Sequence, residues 1–401
     1  MELKYGTWTI SSYEPADARA LCAAGFSPIT AALLCSRGYR DAGAAREFLS
    51  CSTPLSSPFD LLDMDKAAAR VKQALARREH IAVFGDYDVD GITATCLLTE
   101  YLRSRGGHVT SYIPARLEEG YGLNPIAIDT LKKQGVELIV TVDCGITANQ
   151  EAALCRELGI DLVITDHHEC KSELPQAVAL VNPHRKDQPQ PVTEMAGVGV
   201  AFKLAAAIEG EQETLLDQYC DFLCLGTVAD VMPLTGENRT LVKAGLKLLQ
   251  QTDRPGISAL LEEVGLEGKP ITAENVSYAI APRINAAGRM DNAVTALQLV
   301  LCEDEERAAE LAHKLNEINV ARQETEQEIV KAAQEQLDAE PAILEDRVIL
   351  IWGRDWHPGV IGIVASRLVE KTGRPVIVVS VDEHGEGKGS GRSVQGFNLH
   401  E

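Results

Sequence analysis

No stretch of this sequence approaches the roughly 20 consecutive apolar residues that span a bilayer. Its opening, MELKYGTWTI, lacks the basic-then-apolar order of a signal peptide. A cytoplasmic location with no membrane partner is therefore expected. The ten cysteines include no Cys-x-x-Cys pair, and a chain of 401 residues does not need disulfide staples. In a reducing compartment they read as small buried hydrophobes. Positive charge is also scarce. Against 59 acidic residues stand 38 basic ones, a net charge of −21. That excludes a generic nucleic-acid coat, which grips phosphates by long-range positive charge. Residues 341–401 hold 7 basic and 8 acidic residues, so residues 1–340 hold 31 and 51 and carry nearly all the excess. Carboxylates that coordinate divalent metal would neutralise part of it; the rest reads as solvated surface.

What remains is an ordinary globular composition, 45% hydrophobic and 24% charged, long enough for two or three domains. Residues 1–60 read as short helices with polar breaks, ending at Pro54 and Pro58. A helical pattern runs from Met64 to about Arg78. Strands and helices then alternate: strands over 81–84, 108–113, 137–142 and 161–165, with helices over 91–106, from Asn124-Pro125 onward, and over 147–158. Such alternation implies βαβ units and a mostly parallel sheet. Residues 303–340 contain neither glycine nor proline and carry apolar positions at helical spacing. This predicts one helix joining two domains; a coiled coil is the alternative, but the heptad is not sustained. After Pro341 a second, smaller αβ pattern follows, with RVILIW and PVIVVSV as strands around a helix. The division expected is 1–60 helical extension, 61–302 catalytic domain, 303–340 connecting helix and 341–401 second domain.

The chemistry gathers at the C-terminal ends of the strands, the edge at which open parallel sheets bind ligands. Gly85-Asp86-Tyr87-Asp88-Val89-Asp90-Gly91 follows the first strand, Asp143-Cys144-Gly145 the third and Asp166-His167-His168 the fourth. Asp230, in GTVADVMPL, follows an apolar helical run. Carboxylates with one or two imidazoles suit magnesium or manganese rather than a thiolate zinc site. The DYDVDG stretch resembles the start of an EF-hand loop, but the twelfth position, which needs a bidentate glutamate, is Leu97, and a strand precedes it. Neighbouring residues on extended backbone point to opposite sides. His167 and His168 need not share an ion, so one can bind metal while the other faces a phosphate. Any one of these residues, taken singly, could equally be a cap or turn residue. In the second unit, GKGSGRS offers glycine amides and the Arg392 fork to a phosphate, or forms a plain surface turn.

FGDYDVDG, VDCG, TDHH and GTVADVMPL, in this order, resemble the four motifs of the DHH phosphoesterase family. GTVADVMPL together with GENRTLVKAGL and APRINAAGRM, and the N-terminal stretch PITAALLCSRGYRDAGAAREFLS…PFDLLDMDKAAARV, resemble its 5′ to 3′ single-strand exonuclease branch. The resemblance implies an α/β catalytic domain with a two-metal site. Asp86, Asp88, Asp90, Asp143, His167 and Asp230 would be the ligands, Asp143 bridging. His168 would contact the phosphate, with Asp166 behind it. It implies substrate contacts at Arg283, Asn285, Arg289, His357, Gly389, Ser390 and Arg392; for Arg283 and Arg289 the alternative is pairing with carboxylates. Two cations about 3.5–4 Å apart can activate a water and clamp an in-line displacement. The implied cofactors are two manganese or magnesium ions. The implied partners are single-stranded DNA, a single-strand-binding protein and a helicase. The branch continues beyond GSGRS into a further helix and an OB-fold, so at FNLHE401 the second domain is expected to be incomplete and the OB-fold absent. Alternative readings are a phosphodiesterase for short oligonucleotides or cyclic dinucleotides, and a non-catalytic single-strand-binding scaffold.

Overall fold

The structure, a computed structural model, describes residues 10–116 and 119–399. Three short helices come first: α1 (Pro15–Ala23), α2 (Pro28–Ser36) and α3 (Ala42–Ser50). Their starts are chemically specified. Ser27 accepts from the Thr30 amide, and Asp41 from the amides of Gly43 and Ala44. Leu21, Ala31, Leu34, Cys35 and Ala45 give them a small core of their own. The connection that follows is tethered by a buried ion pair, Lys203–Glu237, which also binds the Ser56 backbone and side chain.

The central unit alternates helix and strand: α4 (Met64–Arg77), β1 (His80–Gly85), α5 (Val89–Ser104), β2 (His108–Tyr112), α6 (Pro125–Lys133), β3 (Leu138–Val142), α7 (Asn149–Glu157), β4 (Asp161–Thr165) and the short β5 (Ala179–Val181). The sheet has order β2-β1-β3-β4-β5 and every pair is parallel. β1 and β3 are buried on both faces, as the apolar runs of parallel sheets require. Ile81, Val83, Val140 and Val142 face one apolar core and Ala82, Phe84 and Ile139 the other. Register sets up the site. Gly85 pairs with Val142, and Val142 with Thr165, so Asp86, Asp143 and Asp166 leave the sheet side by side.

Helices then cover one face: α8 (Gly197–Glu209), α9 (Glu213–Ala229), α10 (Gly236–Leu249), α11 (Pro255–Glu263), the single turn α12 (Ala273–Asn275), α13 (Ala281–Met290) and α14 (Val294–Val300). A π-helical turn over Val276–Ile280 leads into α13, a feature with no periodic signature in sequence.

The predicted connecting helix, α15 (Glu305–Ala339), is continuous for 35 residues, roughly 52 Å at 1.5 Å per residue. It needs no second copy to bury its apolar stripe. Ala308, Leu311, Ala312 and Leu315 join the main core. Ile329, Ala333 and Leu337 join the core of the second unit, which consists of β6 (Ile349–Arg354), α16 (Ile361–Thr372), β7 (Val376–Val381) and β8 (Gly387–Arg392). Between the two apolar stretches the buried residues are polar: Asn319, Arg322 and Glu326. Glu326 accepts from Arg322 of its own helix and pairs with Arg367 of α16. β6 and β7 are parallel, β7 and β8 antiparallel. GKGSGR is thus an extended edge strand rather than a glycine loop or turn, because each of its residues pairs in register with β7. No helix among the described residues is long and apolar enough to cross a membrane.

Glu326 is fully buried and holds two arginines, so its removal strands positive charge at the junction. Glu326→Ala is expected to lower stability by roughly 3 kcal/mol or more. Breaking the exposed Arg307–Glu310 pair should cost below about 0.5 kcal/mol. Urea unfolding of both variants tests this, and similar midpoints would refute the central role of Glu326.

Candidate metal centre

After β1 the chain turns directly into α5. Asp88 is the N-cap of α5, its Oδ1 accepting from the Gly91 amide at 3.1 Å. Asp90, in the first turn, faces inward and accepts from the amides of Gly197 (2.6 Å) and Val198 (2.9 Å). One carboxylate thereby joins the positive ends of two helices, α5 and α8. Asp143 leaves β3 in the left-handed region, at φ 60°. Asp230 ends α9, and Val231 after it has φ 57°, a costly conformation for a β-branched residue. Two strained backbones therefore flank one cluster. Gly197 is required there, since a Cβ would fall 2.5 Å from the Asp143 side chain.

The predicted carboxylates and histidines converge. His167 Nε2 lies 3.0 Å from Asp143, 3.7 Å from Asp90 and 3.7 Å from Asp230. Three groups each place their ligand atoms within 4.8 Å of one another: Asp86–Asp88–Asp143, Asp90–His167–Asp230 and Asp143–His167–His168. Asp143 and His167 each belong to two of them. Asp166 is differently placed. It accepts from the amides of Ile146 (2.9 Å), His167 (2.7 Å) and His168 (3.1 Å), and from His168 Nδ1 at 2.7 Å. It fixes the loop and the His168 ring.

The electrostatics call for a cation. Asp86, Asp90 and Asp143 are 3%, 1% and 1% exposed. Burial, then Asp88 beside it, pushes Asp86 up to about 8. Burial, then neighbouring aspartates, holds Asp90 and Asp143 well above the carboxylate range. Asp230 rises to about 6 by burial and then Asp88. The Oδ1 atom of Asp86 is buried without a hydrogen-bond partner, and that of Asp143 meets the His167 Nε2 at 3.0 Å without hydrogen-bond geometry. Orphaned anionic oxygens among like charges are costly unless a cation takes them, and oxygen with imidazole fits manganese or magnesium. The two histidines move in opposite directions. Burial, then His168, lowers His167 to about 4, leaving a neutral imidazole suited to a metal. The Asp166 hydrogen bond raises His168 to about 9.

The predicted substrate contacts lie further out. On α13, the Asn285 Oδ1 accepts from the Val89 amide at 3.1 Å, bracing the start of α5. Arg283 donates to Asn316 Oδ1 (2.9 Å) and the Ala279 carbonyl (2.6 Å). Arg289 donates to the Gly359 carbonyl at 3.4 Å, where the two units meet. Neither arginine forms an ion pair among the described residues, so carboxylate pairing does not account for them. His357 Nδ1 accepts from the Gly359 amide at 3.1 Å. A Cβ on Gly359 would lie 2.1 Å from the Arg289 carbonyl, so the second unit abuts α13 through a glycine. Gly389, Ser390 and Arg392 are on β8. Ser390 Oγ and Arg392 Nη2 lie 3.0 and 3.2 Å from where a Gly362 Cβ would stand, across the first turn of α16, an end that favours anions.

Sequence reasoning missed several neighbours. The Arg116 guanidinium stacks 4.7 Å from the Tyr87 ring centroid. The Tyr121 hydroxyl lies 3.3 Å from His168 Nε2. Both residues follow β2, so the strand-end rule that found the other clusters also covered them, but neither is a metal-ligand type. The Gly197 and Val198 amides carried no motif signal.

Known proteins resemble this chain in sequence and fold. The DHH family, N-terminal domain, matches residues 80–227, and the DHHA1 domain matches residues 345–401. The chain is 42% identical over 377 residues to the single-stranded-DNA-specific exonuclease RecJ of Bacillus subtilis, covering 94% of this chain and 47% of that protein. It is 36% identical to RecJ of Salmonella typhimurium, covering 96% of this chain and 69% of the relative. The solved structure of RecJ from Thermus thermophilus in complex with Mn2+ superposes with a TM-score of 0.82 at 35% identity, covering 97% of this chain and 55% of that one. The chain thus spans about half to two-thirds of the length of these relatives.

A carboxylate whose folded pKa is raised loses stability as pH climbs from its unfolded value, near 4, toward the folded one. Asp143→Asn removes that loss. In chelator, Asp143→Asn is expected to be more stable than the parent by at least about 1 kcal/mol at about pH 8, with a smaller gain at about pH 5.5. Thermal melts at the two pH values measure it; a gain that grows on acidification contradicts the burial argument.

Proposed function

The chain belongs to the RecJ family, and from that premise we propose that it is a metal-dependent exonuclease, hydrolysing single-stranded DNA from the 5′ end to 5′-mononucleotides. Its proposed setting is DNA repair and recombination in the cytoplasm, with a single-strand-binding protein and a helicase as partners. The observation that carries the reading is the buried, unpartnered Oδ1 of Asp86 beside Asp143, whose buried Oδ1 faces the His167 imidazole at 3.0 Å.

In this reading Asp86, Asp88, Asp90, Asp143, His167 and Asp230 hold two manganese or magnesium ions. Asp143, a member of two ligand groups and fully buried, would be the carboxylate serving both ions. When bound, the two ions supply an activated water and neutralise charge on the displaced oxygens. The remaining work belongs to the chain. Asp90 fixes two helix ends against the site through its hydrogen bonds to α8. Asp166 holds the His168 ring by Nδ1 at 2.7 Å, leaving Nε2 to donate to a non-bridging phosphate oxygen. Arg283, Asn285, Arg289 and His357 contact the strand. Gly389, Ser390 and Arg392, with the first turn of α16, take the 5′ nucleotide. The functional division is a helical extension (1–60), a catalytic domain (61–302), a spacer helix (303–340) that sets the distance between the two sites, and a DHH-associated unit (341–401).

The test is manganese-dependent digestion of 5′- and 3′-labelled strands, single and double. Single strands should lose mononucleotides from the 5′ end while duplexes resist. Binding should weaken steeply with salt, because phosphate contacts release counterions. Arg392→Ala is expected to slow attack at 5′ ends roughly tenfold or more. Hydrolysis of a small activated phosphodiester, which needs only the metal site, should be spared. Equal loss on both substrates would mean that Arg392 supports the fold, and digestion from the 3′ end would overturn the polarity.

A further inference from the structure

We propose that Tyr121 is a substrate-positioning residue whose hydroxyl, together with His168 Nε2, forms a two-donor seat for the scissile phosphate. The proposal rests on the phosphodiesterase reading and adds a residue to it.

The segment that carries Tyr121 leaves β2 at the edge that holds the carboxylates, since Tyr112 pairs with Phe84, two residues before Asp86. It is pinned by one side chain. Glu119 accepts from the Ala115 amide (2.9 Å), the Tyr112 hydroxyl (2.9 Å) and Asn124 Nδ2 (3.3 Å). Asn124 in turn caps α6 through the Ala127 amide at 2.8 Å. Gly120 and Gly122, at φ 86° and 74°, supply the left-handed turns that flank Tyr121. Its ring meets His168 edge-on at 6.0 Å and Tyr87 edge-on at 6.2 Å. Arg116, earlier in the same connection, stacks on the far partner, Tyr87.

A purely packing role does not account for this. Tyr121 is 53% exposed, so it buries little, yet its hydroxyl is directed at a nitrogen of the site. Asp166 takes His168 Nδ1, so Nε2, which meets only the exposed Tyr121 hydroxyl, is the ring nitrogen that can turn to substrate. The Tyr121 hydroxyl lies 3.3 Å from that nitrogen. A phosphate oxygen accepting from Nε2 therefore comes within hydrogen-bond reach of the tyrosine O–H. Two donors fix the orientation of the phosphate, whereas one leaves it free to rotate about the hydrogen bond.

Tyr121→Phe deletes the hydroxyl and keeps the ring. With manganese and a single-stranded substrate, kcat should fall roughly ten- to a hundredfold, the worth of a hydrogen bond to a charged group, while KM changes less than about threefold. The manganese titration curve and the thermal midpoint should stay at parental values. In the magnesium-loaded, 15N-histidine-labelled protein, the His168 Nε2 resonance should shift. An active parent with an unchanged kcat in Tyr121→Phe sinks the role, and so does a variant that loses manganese binding, since the residue would then be structural. A parent that cleaves no phosphodiester sinks the functional reading and this role together.

Discussion

Like charges crowded out of water are the constraint on which this structure turns. Asp86, Asp90 and Asp143 are almost completely buried, Asp86 and Asp143 within 4.8 Å of each other and of Asp88, and Asp90 within 4.8 Å of Asp230, with His167 close to both groups. Such a cluster gains nothing for folding; burial alone pushes its members toward the neutral form. The surrounding protein is built to tolerate it. Two helix starts converge on Asp90, a glycine admits α8 beside Asp143, and two strained backbones hold Asp143 and Asp230 in place. An arrangement that is costly empty and favourable with cations is the mark of a site selected for chemistry rather than stability.

The second constraint is distance. A rod of helix joins the metal cluster to a small sheet whose edge strand faces the start of α16 with Ser390 and Arg392. Its two ends are fixed by apolar packing in separate cores, and its middle by Glu326 between Arg322 and Arg367. A buried ion pair is a weak source of net stability but a strict one for geometry, because few orientations satisfy all its partners. The junction therefore serves alignment. That suits the proposed exonuclease, which would hold a strand end at one place and cleave at another.

Much of this could be read from residues alone. Asp86, Asp143 and Asp166 follow apolar strands, and parallel register carries successive strand ends to one edge, so their convergence was legible. So was α15, because nothing in 303–340 interrupts a helix. The expectation that His167 and His168 point to opposite sides failed, because β4 ends at Thr165 and the two ring centroids stand 4.6 Å apart, both beside Asp143. What else failed had no local signal. GKGSGR looks like a turn, and only its pairing with β7 makes it a strand. That the side-chain Oδ1 of Asn285 also braces the Val89 amide, far away in sequence, had no local signal either. The amides of Gly197 and Val198 could not be found by side-chain type at all. Tyr121 escaped because a tyrosine between glycines reads as a loop residue until the fold sets it against His168.

Calorimetric titration with manganese tests the central claim most directly. If the cluster exists to hold cations, the parent should bind two ions per chain, and Asp143→Ala should lose most of that binding while its folded core persists by circular dichroism. A parent that takes up no manganese, or an Asp143→Ala protein with the parental stoichiometry and affinity, would contradict the account.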